Sequence, residues 1–205
     1  MSTNYKAIVW LIIVLLTGSA GCGSAPVIPP PEGAPLLGPP PEPAGTPDHV
    51  LLKNALTGRE LPAVEVADLS ERLLANGHST LQDQETMARL ELLLLKALKG
   101  QDKTYHPVLW RNLGVIHYHQ KKYRQARQEL QASNELNPRS ARTHFYLARL
   151  FAHQGQIYEK QGKQAKSRQQ FKRAAIEMEQ ARKIEPHNSL YRQDAKQVIE
   201  QEQGK

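Results

Sequence analysis

The amino-acid sequence predicts an all-α protein for the region after its first 47 residues. Apolar residues recur three and four positions apart, as at Leu69, Leu73 and Leu74 and later at Leu90 and Leu94. This spacing places them on one face of a helix, and no run alternates convincingly, as a half-buried strand would. The region has about 155 residues, which is enough for one domain with its own core.

Residues 1–21 have the layout of a secretory signal peptide. Lys6 gives the start a positive charge, the ten-residue apolar run AIVWLIIVLL follows, and Ser19, Ala20 and Gly21 end the segment. The run is too short to cross about 30 Å of hydrocarbon, which takes about 20 residues. A short apolar centre before small residues is typical of a signal peptide that is removed.

Cys22, the only cysteine of the chain, directly follows these small residues. The arrangement resembles the lipobox of bacterial lipoproteins, although Ser19 stands where that motif usually has an aliphatic residue. The resemblance implies that the Cys22 thiol receives a diacylglyceryl group, that the chain is cut before it and that the new amino terminus is acylated. Several acyl chains would anchor the protein stably to a bilayer. A plain signal peptide and an uncleaved anchor are the alternatives.

Gly23 follows the cysteine, whereas in Gram-negative lipoproteins Asp at this position favours retention in the inner membrane. The resemblance therefore implies anchoring in the outer membrane, facing the periplasm, ahead of the inner membrane. A single cysteine also excludes an internal disulfide and a cysteine-based zinc site.

Residues 22–47 are predicted to be a tether behind the lipidated cysteine. Ten of the 24 residues from Ser24 to Pro47 are proline. Such a segment cannot bury enough surface to fold, and it favours an extended polyproline II conformation at about 3.1 Å per residue. Recognition of its proline motifs by an aromatic groove is the alternative function.

Residues 48–106 are predicted to be an N-terminal helical region. Val64 to Lys99 has a helix-turn-helix pattern, with Thr80 as the expected N-cap of the second helix and Gly100 at its end. We expect a degenerate repeat or a cap for the repeats that follow.

Residues 107–140, which begin PVLWRNLGVIHYHQKKYRQARQELQASNELNP, resemble a tetratricopeptide repeat, a helix-turn-helix unit of 34 residues. His117 and Ser133 depart from the family pattern, which usually has Tyr and Ala there. The resemblance implies that small residues let the two helices approach, that large apolar residues fill the space between hairpins, and that proline ends the second helix. The residues at family spacing are Trp110, Leu113, Gly114, Tyr123, Ala126, Leu130 and Pro138.

Residues 141–187 resemble a second repeat that carries an insertion of about 14 residues at 155–168. Because 14 residues are about 3.9 helical turns, the insertion can lengthen both helices with little change of facing, and Gly162 is the expected turn. The hairpin tip would carry Lys160, Lys163 and Lys166, either as a solvated extension or as a basic contact. The residues at family positions are Leu147, Ala148, Phe171, Ala174, Ala181 and Pro186.

Residues 188–205 are predicted to be a polar C-terminal capping helix. In tetratricopeptide proteins the first helix of each repeat lines a concave groove, so the resemblance also implies a partner-binding groove. Arginine in that groove suits carboxylates and the aromatic residues suit an apolar anchor, although the terminal helix from Asn188 could fill the groove instead. The implied groove residues are Arg111, Asn112, Val115, His119, Arg142, Phe145, Tyr146 and Arg149.

The sequence contains no catalytic or metal-binding motif, so we expect no enzyme activity, cofactor, metal or small-molecule substrate. Lys121 to Glu185 holds 15 basic and six acidic residues, whereas Asp48 to His106 holds seven and nine. A basic helix face can bind nucleic acid, but an exported lipoprotein would not meet it, and an acidic protein or an anionic lipid surface is the expected alternative to a solvated surface.

These observations predict a lipid-anchored, non-enzymatic adaptor that binds an unidentified protein in the bacterial cell envelope. The alternative is an accessory subunit of an envelope enzyme or a factor in pilus or secretion assembly. Cytosolic nucleic-acid binding would require that residues 1–21 are not a signal.

Overall fold

The computed structural model describes residues 47–58, 60–75 and 78–194, except for the side chains of residues 78 and 79. The predicted signal peptide, Cys22, the tether before Pro47 and the capping helix beyond Asp194 lie outside these residues. No helix in the described part is both long and apolar enough to cross a membrane.

The described residues form eight α-helices followed by helical residues 189–194, and no strand occurs among them. The all-α fold predicted from the sequence is therefore confirmed. The helices are α1 (Asp48–Thr57), α2 (Ala63–Ala75), α3 (His78–Gln82), α4 (Gln84–Leu98), α5 (His106–His119), α6 (Tyr123–Leu136), α7 (Ala141–Lys160) and α8 (Gln164–Ile184).

The helices pack as successive hairpins around one continuous core. Helix α5 packs on α6, and α7 packs on α8. The pair α2 and α4 lies before them, so that α2, α5 and α7 are neighbours in that order, and α1 covers α2 and α4. Because one hairpin cannot bury its whole apolar face by itself, the upstream pair completes the core on one side of α5.

Helix α4 begins later than the sequence predicted. The prediction that Thr80 caps it is wrong, because Thr80 lies inside the short helix α3 and is buried. Asp83 is the N-cap, and its carboxylate accepts hydrogen bonds from the Glu85 amide at 3.1 Å and from the Thr86 hydroxyl. The extra helical turn α3 moves the start of α4 to this carboxylate, and α4 ends just before Gly100.

The second hairpin has longer helices than the first, as the sequence predicted. Helices α7 and α8 have 20 and 21 residues, whereas α5 and α6 have 14 each. The turn is at Gly162, whose φ of 70° is in the left-handed region that glycine tolerates. Within the described part of the chain, Lys160, Lys163 and Lys166 are exposed at this tip and form no ion pair.

Both hairpins turn through the same backbone motif. The Lys122 amide donates to the His117 carbonyl at 2.8 Å, and the Lys163 amide donates to the Tyr158 carbonyl at 2.9 Å. Each bond spans five residues and closes the Schellman arrangement at a helix end. In the first hairpin the left-handed position is taken by Lys121, with φ of 61°.

Candidate functional site

The concave face of α5 and α7 contains a cavity of about 580 Å³. We call it the concave pocket. The end of α2, helix α3 and residues 190–191 also contribute to its lining. Five of the eight groove residues implied by the sequence line it, together with residues from these segments. The lining residues are Leu74, Ala75, Leu81, Gln82, His119, Arg142, Phe145, Tyr146, Arg149, Leu190 and Tyr191.

The other three implied groove residues lie outside the concave pocket, against α2 or in the core. Asn112 is fully buried, and its Nδ2 donates to the Ser70 hydroxyl at 2.7 Å. Val115 is also fully buried, and Arg111 donates to the Glu71 carboxylate. The sequence analysis did not predict that α2 packs on this part of α5, because α2 lacks the residues that mark a tetratricopeptide repeat.

Glu71 partly neutralises the basic side of the concave pocket. Its Oε2 lies 3.5 Å from Nη1 of Arg142, and its other oxygen accepts from Arg111. Arg142 also donates to the Leu74 carbonyl at 3.2 Å. Burial lowers the pKa of Arg111, although the charge of Glu71 opposes this shift. Glu71 therefore allows two arginines to lie side by side in a half-buried place.

Arg149 is the most exposed cation of the concave pocket, since 39% of its side chain is accessible against 22% for Arg142. Its Cζ lies 5.3 Å from the ring centre of Tyr118 and 5.4 Å from that of Phe145. Its Nε is 3.7 Å from Oδ2 of Asp194. The two rings hold the guanidinium in place by cation–π contacts, so its remaining donors are presented in a defined position at the rim.

Aromatic side chains form the floor of the concave pocket. The Tyr146 hydroxyl lies 3.3 Å from Nε2 of His119, and the Tyr146 ring packs edge-on against Phe145 and Tyr118. Burial raises the pKa of Tyr146 and of Tyr118, so both phenols are neutral at ordinary pH. Tyr146 therefore gives the floor apolar area and a neutral hydrogen-bonding group beside one accessible cation, whereas Tyr118 packs against Tyr146 without lining the pocket.

The last described residues lie against this floor. Tyr191 is only 5% exposed and packs on Phe145 with ring centres 5.0 Å apart. The residues 188–194, which we call the C-terminal segment, thus enter the groove, as the sequence analysis gave as one possibility for the terminal helix.

The residues implied to pack the repeats fall into three groups by exposure. Trp110 and Tyr123 are half-buried, while Pro138 and Pro186 are exposed just beyond the ends of α6 and α8. The remaining ones are buried in the core, and they are Leu113, Gly114, Ala126, Leu130, Leu147, Ala148, Phe171, Ala174 and Ala181.

The two departures from the repeat pattern each form a hydrogen bond between helices. The Ser133 hydroxyl donates to the Pro107 carbonyl at 2.8 Å. His117 is 3% exposed, with Nδ1 2.6 Å from Oε2 of Glu129 and Nε2 3.1 Å from Oε1 of Glu91. Burial disfavours the charged ring, but the hydrogen bond to Glu129 and the adjacent carboxylate of Glu91 raise the pKa of His117. These polar contacts connect α5 with α4 and α6.

His144 forms a similar contact between the two helices of the second hairpin. Its Nδ1 lies 2.7 Å from Oε2 of Glu177, and its Nε2 lies 2.9 Å from the Pro138 carbonyl. The bond to Glu177 raises the pKa of His144, against the effect of burial. Across the described residues, no group of three or more His, Cys, Asp or Glu side chains is arranged to hold a metal ion.

The fold and the concave pocket define a class of all-α protein built from helical hairpins. Comparison with known families then identifies one hairpin: residues 107–140, helices α5 and α6, match the model of the tetratricopeptide repeat. Tetratricopeptide repeats are typically non-catalytic scaffolds for protein–protein interaction. No curated protein matches the chain.

Proposed function

We propose that the protein is a lipid-anchored adaptor that binds a partner protein of the bacterial cell envelope through its concave pocket. The observation that carries this proposal is the composition of the pocket. Apolar walls at Leu74 and Leu81, a floor with Tyr146 and an accessible Arg149 at the rim lie in one cavity. Concave, largely apolar sites with a few placed polar groups are typical of binding sites.

The chemistry of the concave pocket favours a peptide segment over a small polar molecule. An apolar side chain of the partner would pack against Leu81 and Phe145, which both line the cavity. A neighbouring carboxylate would pair with Arg149, whose guanidinium can donate two parallel hydrogen bonds. The volume of about 580 Å³ is in the range of ligand pockets.

The lipid anchor and the envelope location rest on the sequence of the first 47 residues. The short apolar run, the small residues before Cys22 and the proline-rich segment after it support an exported protein held at a membrane. Labelling cells with a palmitate analogue tests this part: the wild-type chain should be labelled and fractionate with membranes, and Cys22→Ser should be unlabelled. An unlabelled wild-type chain would remove the anchor from the proposal.

A test of the concave pocket uses a pair of leucines. Leu81→Glu places a negative charge in an apolar wall, whereas Leu92→Glu makes the same change at a side chain that is 58% exposed and lies outside the concave pocket. We expect cross-linked partners from detergent-solubilised envelopes to be recovered with the wild type and with Leu92→Glu, and at least ten-fold less with Leu81→Glu. Thermal unfolding of both variants controls for folding, and equal recovery would refute a role of the pocket.

The proposed adaptor could serve an envelope enzyme as an accessory subunit, or a pilus or secretion machine as an assembly factor. The pocket chemistry is common to these cases. Mass spectrometry of the cross-linked partner distinguishes them.

A further inference from the structure

The C-terminal segment presents two side chains to the groove from one turn of helix. Asn188 starts the turn, because its Oδ1 accepts from the Leu190 amide at 3.1 Å. Residues 189–194 are helical, so Tyr191 and Asp194, three positions apart, lie on the same face.

These two side chains contact groove residues that the proposed function assigns to the partner. Tyr191 packs on Phe145 at 5.0 Å between ring centres, and Oδ2 of Asp194 lies 3.7 Å from Nε of Arg149. Burial raises the pKa of Tyr191 to about 12, which is consistent with a neutral phenol held in the groove. The segment thus supplies one aromatic anchor and one carboxylate, the chemistry expected of an external ligand.

The rest of the C-terminal segment is lightly held. Ser189, Arg192 and Gln193 are exposed, and Leu190 is 47% exposed. Residues 185–187, which connect the segment to α8, are exposed as well. Among the described residues, the segment therefore contacts the groove through one buried ring and one partly exposed ion pair, whereas α7 and α8 bury a continuous apolar stripe. Segments with few buried contacts open locally at much lower free energy than the global unfolding of the domain.

The concave pocket continues beside the segment rather than ending at it. Leu190 and Tyr191 line the cavity together with Leu81 of α3. A ligand that entered the cavity would therefore compete with Tyr191 for Phe145 and with Asp194 for Arg149.

We propose that the C-terminal segment is an internal ligand of the groove and that the partner binds by replacing it. The partner would carry an amphipathic helical turn with an aromatic residue followed three positions later by an acidic residue. This proposal rests on the proposed function and specifies the partner and the regulation of the same site. Because the segment is tethered, it competes at an effective concentration in the millimolar range, so an external ligand binds weakly until the segment is released.

The experiment compares the full chain with its Tyr191→Ala/Asp194→Asn variant, in which the internal ligand is disabled. The probe is a fluorescent synthetic peptide of residues 186–205, followed by anisotropy. We expect the variant to bind the peptide at least ten-fold more tightly than the wild type does. A control peptide with the same two substitutions should bind neither chain, and 0.5 M salt should weaken binding because the Asp194 contact is partly exposed. Equal binding by the two chains, or no binding by a variant that still unfolds cooperatively, would overturn the proposal.

A second measurement covers the case in which the double variant fails to fold. In native-state hydrogen exchange of the wild-type chain, the Arg192 amide, which donates to the Asn188 carbonyl at 3.4 Å, should exchange at least 100-fold faster than core amides of α7. Exchange at the rate of those core amides would show a fixed structural cap and refute an internal ligand. The cross-linking test with Leu81→Glu and Leu92→Glu tests the proposed function alone. The peptide assay needs no envelope partner, so the two proposals can fail independently.

Discussion

Gly114 of α5 and Leu130 of α6 approach so closely that no side chain fits between them. A Cβ atom added to Gly114 would lie 2.7 Å from Cγ of Leu130 and 3.2 Å from the Ala126 carbonyl oxygen. The first distance is well inside van der Waals contact, and Leu130 is fully buried, so its side chain has little room to move. The distance between the two helices is set at this point.

Gly114→Ala should therefore destabilise the protein. Overpacking of a close-packed interior costs typically about 1–3 kcal/mol, and we expect a loss in this range in urea unfolding. Gly58→Ala is the matched control, because a Cβ there meets no atom within 4 Å. If both variants unfold at the same urea concentration, the hairpin adjusts its spacing freely and the close approach has no energetic role.

Gly155 forms a second close approach in the elongated hairpin. An added Cβ would lie 2.9–3.0 Å from three atoms of the Phe171 ring. Gly155→Ala should cost about 1–3 kcal/mol for the same reason, and replacement of Phe171 by the smaller Leu should recover part of that loss in the double variant. A double-mutant cycle by urea unfolding measures the coupling, and additive losses would contradict a direct contact between these positions.

Because both turns have a residue in the left-handed region, we expect substitution by glycine in the first turn and by alanine in the second to change stability in opposite directions. Lys121→Gly should stabilise the protein by about 1 kcal/mol, because a side chain in the left-handed region costs about this amount. Gly162→Ala should destabilise by about 1 kcal/mol for the same reason, since an added Cβ meets nothing within 4 Å there and only the backbone conformation matters. Thermal melts of the two variants should shift in opposite directions, and shifts of the same sign would contradict the shared turn geometry.

His117 should make stability depend on pH. Its folded pKa is raised above the ordinary value of 6.5, so the folded state binds the proton more tightly than the unfolded chain. The contribution to stability is fully present below about pH 6.5 and is lost as pH rises through the raised folded pKa. His117→Gln should flatten this decline above about pH 6.5 in urea unfolding, whereas His49→Gln, at an exposed position, should leave it intact.

Glu91 should make the stability of the protein decrease at low pH, in the opposite direction to the effect of His117. Burial raises the pKa of this carboxyl, but the adjacent ring of His117 and the hydrogen bond from Gln120 together lower it more, so the net shift is downward. Stability from Glu91 is therefore lost as pH falls through its lowered folded pKa. Glu91→Gln should reduce the acid sensitivity of the wild type while lowering its stability near pH 6, and an unchanged acid limb would show that Glu91 does not stabilise the fold.

Much of the architecture could be predicted because it depends on residues close together in sequence. The spacing of Trp110, Leu113, Gly114 and Ala126 resembles that of a tetratricopeptide repeat, and this resemblance implies a hairpin whose helices approach closely at Gly114 and Ala126. The lengthening of α7 and α8 follows from an insertion of nearly whole turns, which leaves the apolar stripe on one side. Helix α1 could not be predicted this way, since its ten residues bury only Leu52 and Ala55 and give too short a pattern.

The sequence by itself therefore determined the helical class, the repeat at residues 107–140 and the extended second hairpin. Only the tertiary structure decided which implied groove residues stay accessible. Glu71 lies 40 positions before Arg111 and 71 before Arg142 in the chain, and Asp194 lies 45 positions after Arg149. A spacing rule describes one helix and its neighbour in sequence, whereas the charge and the opening of the concave pocket depend on distant segments that meet when the hairpins stack.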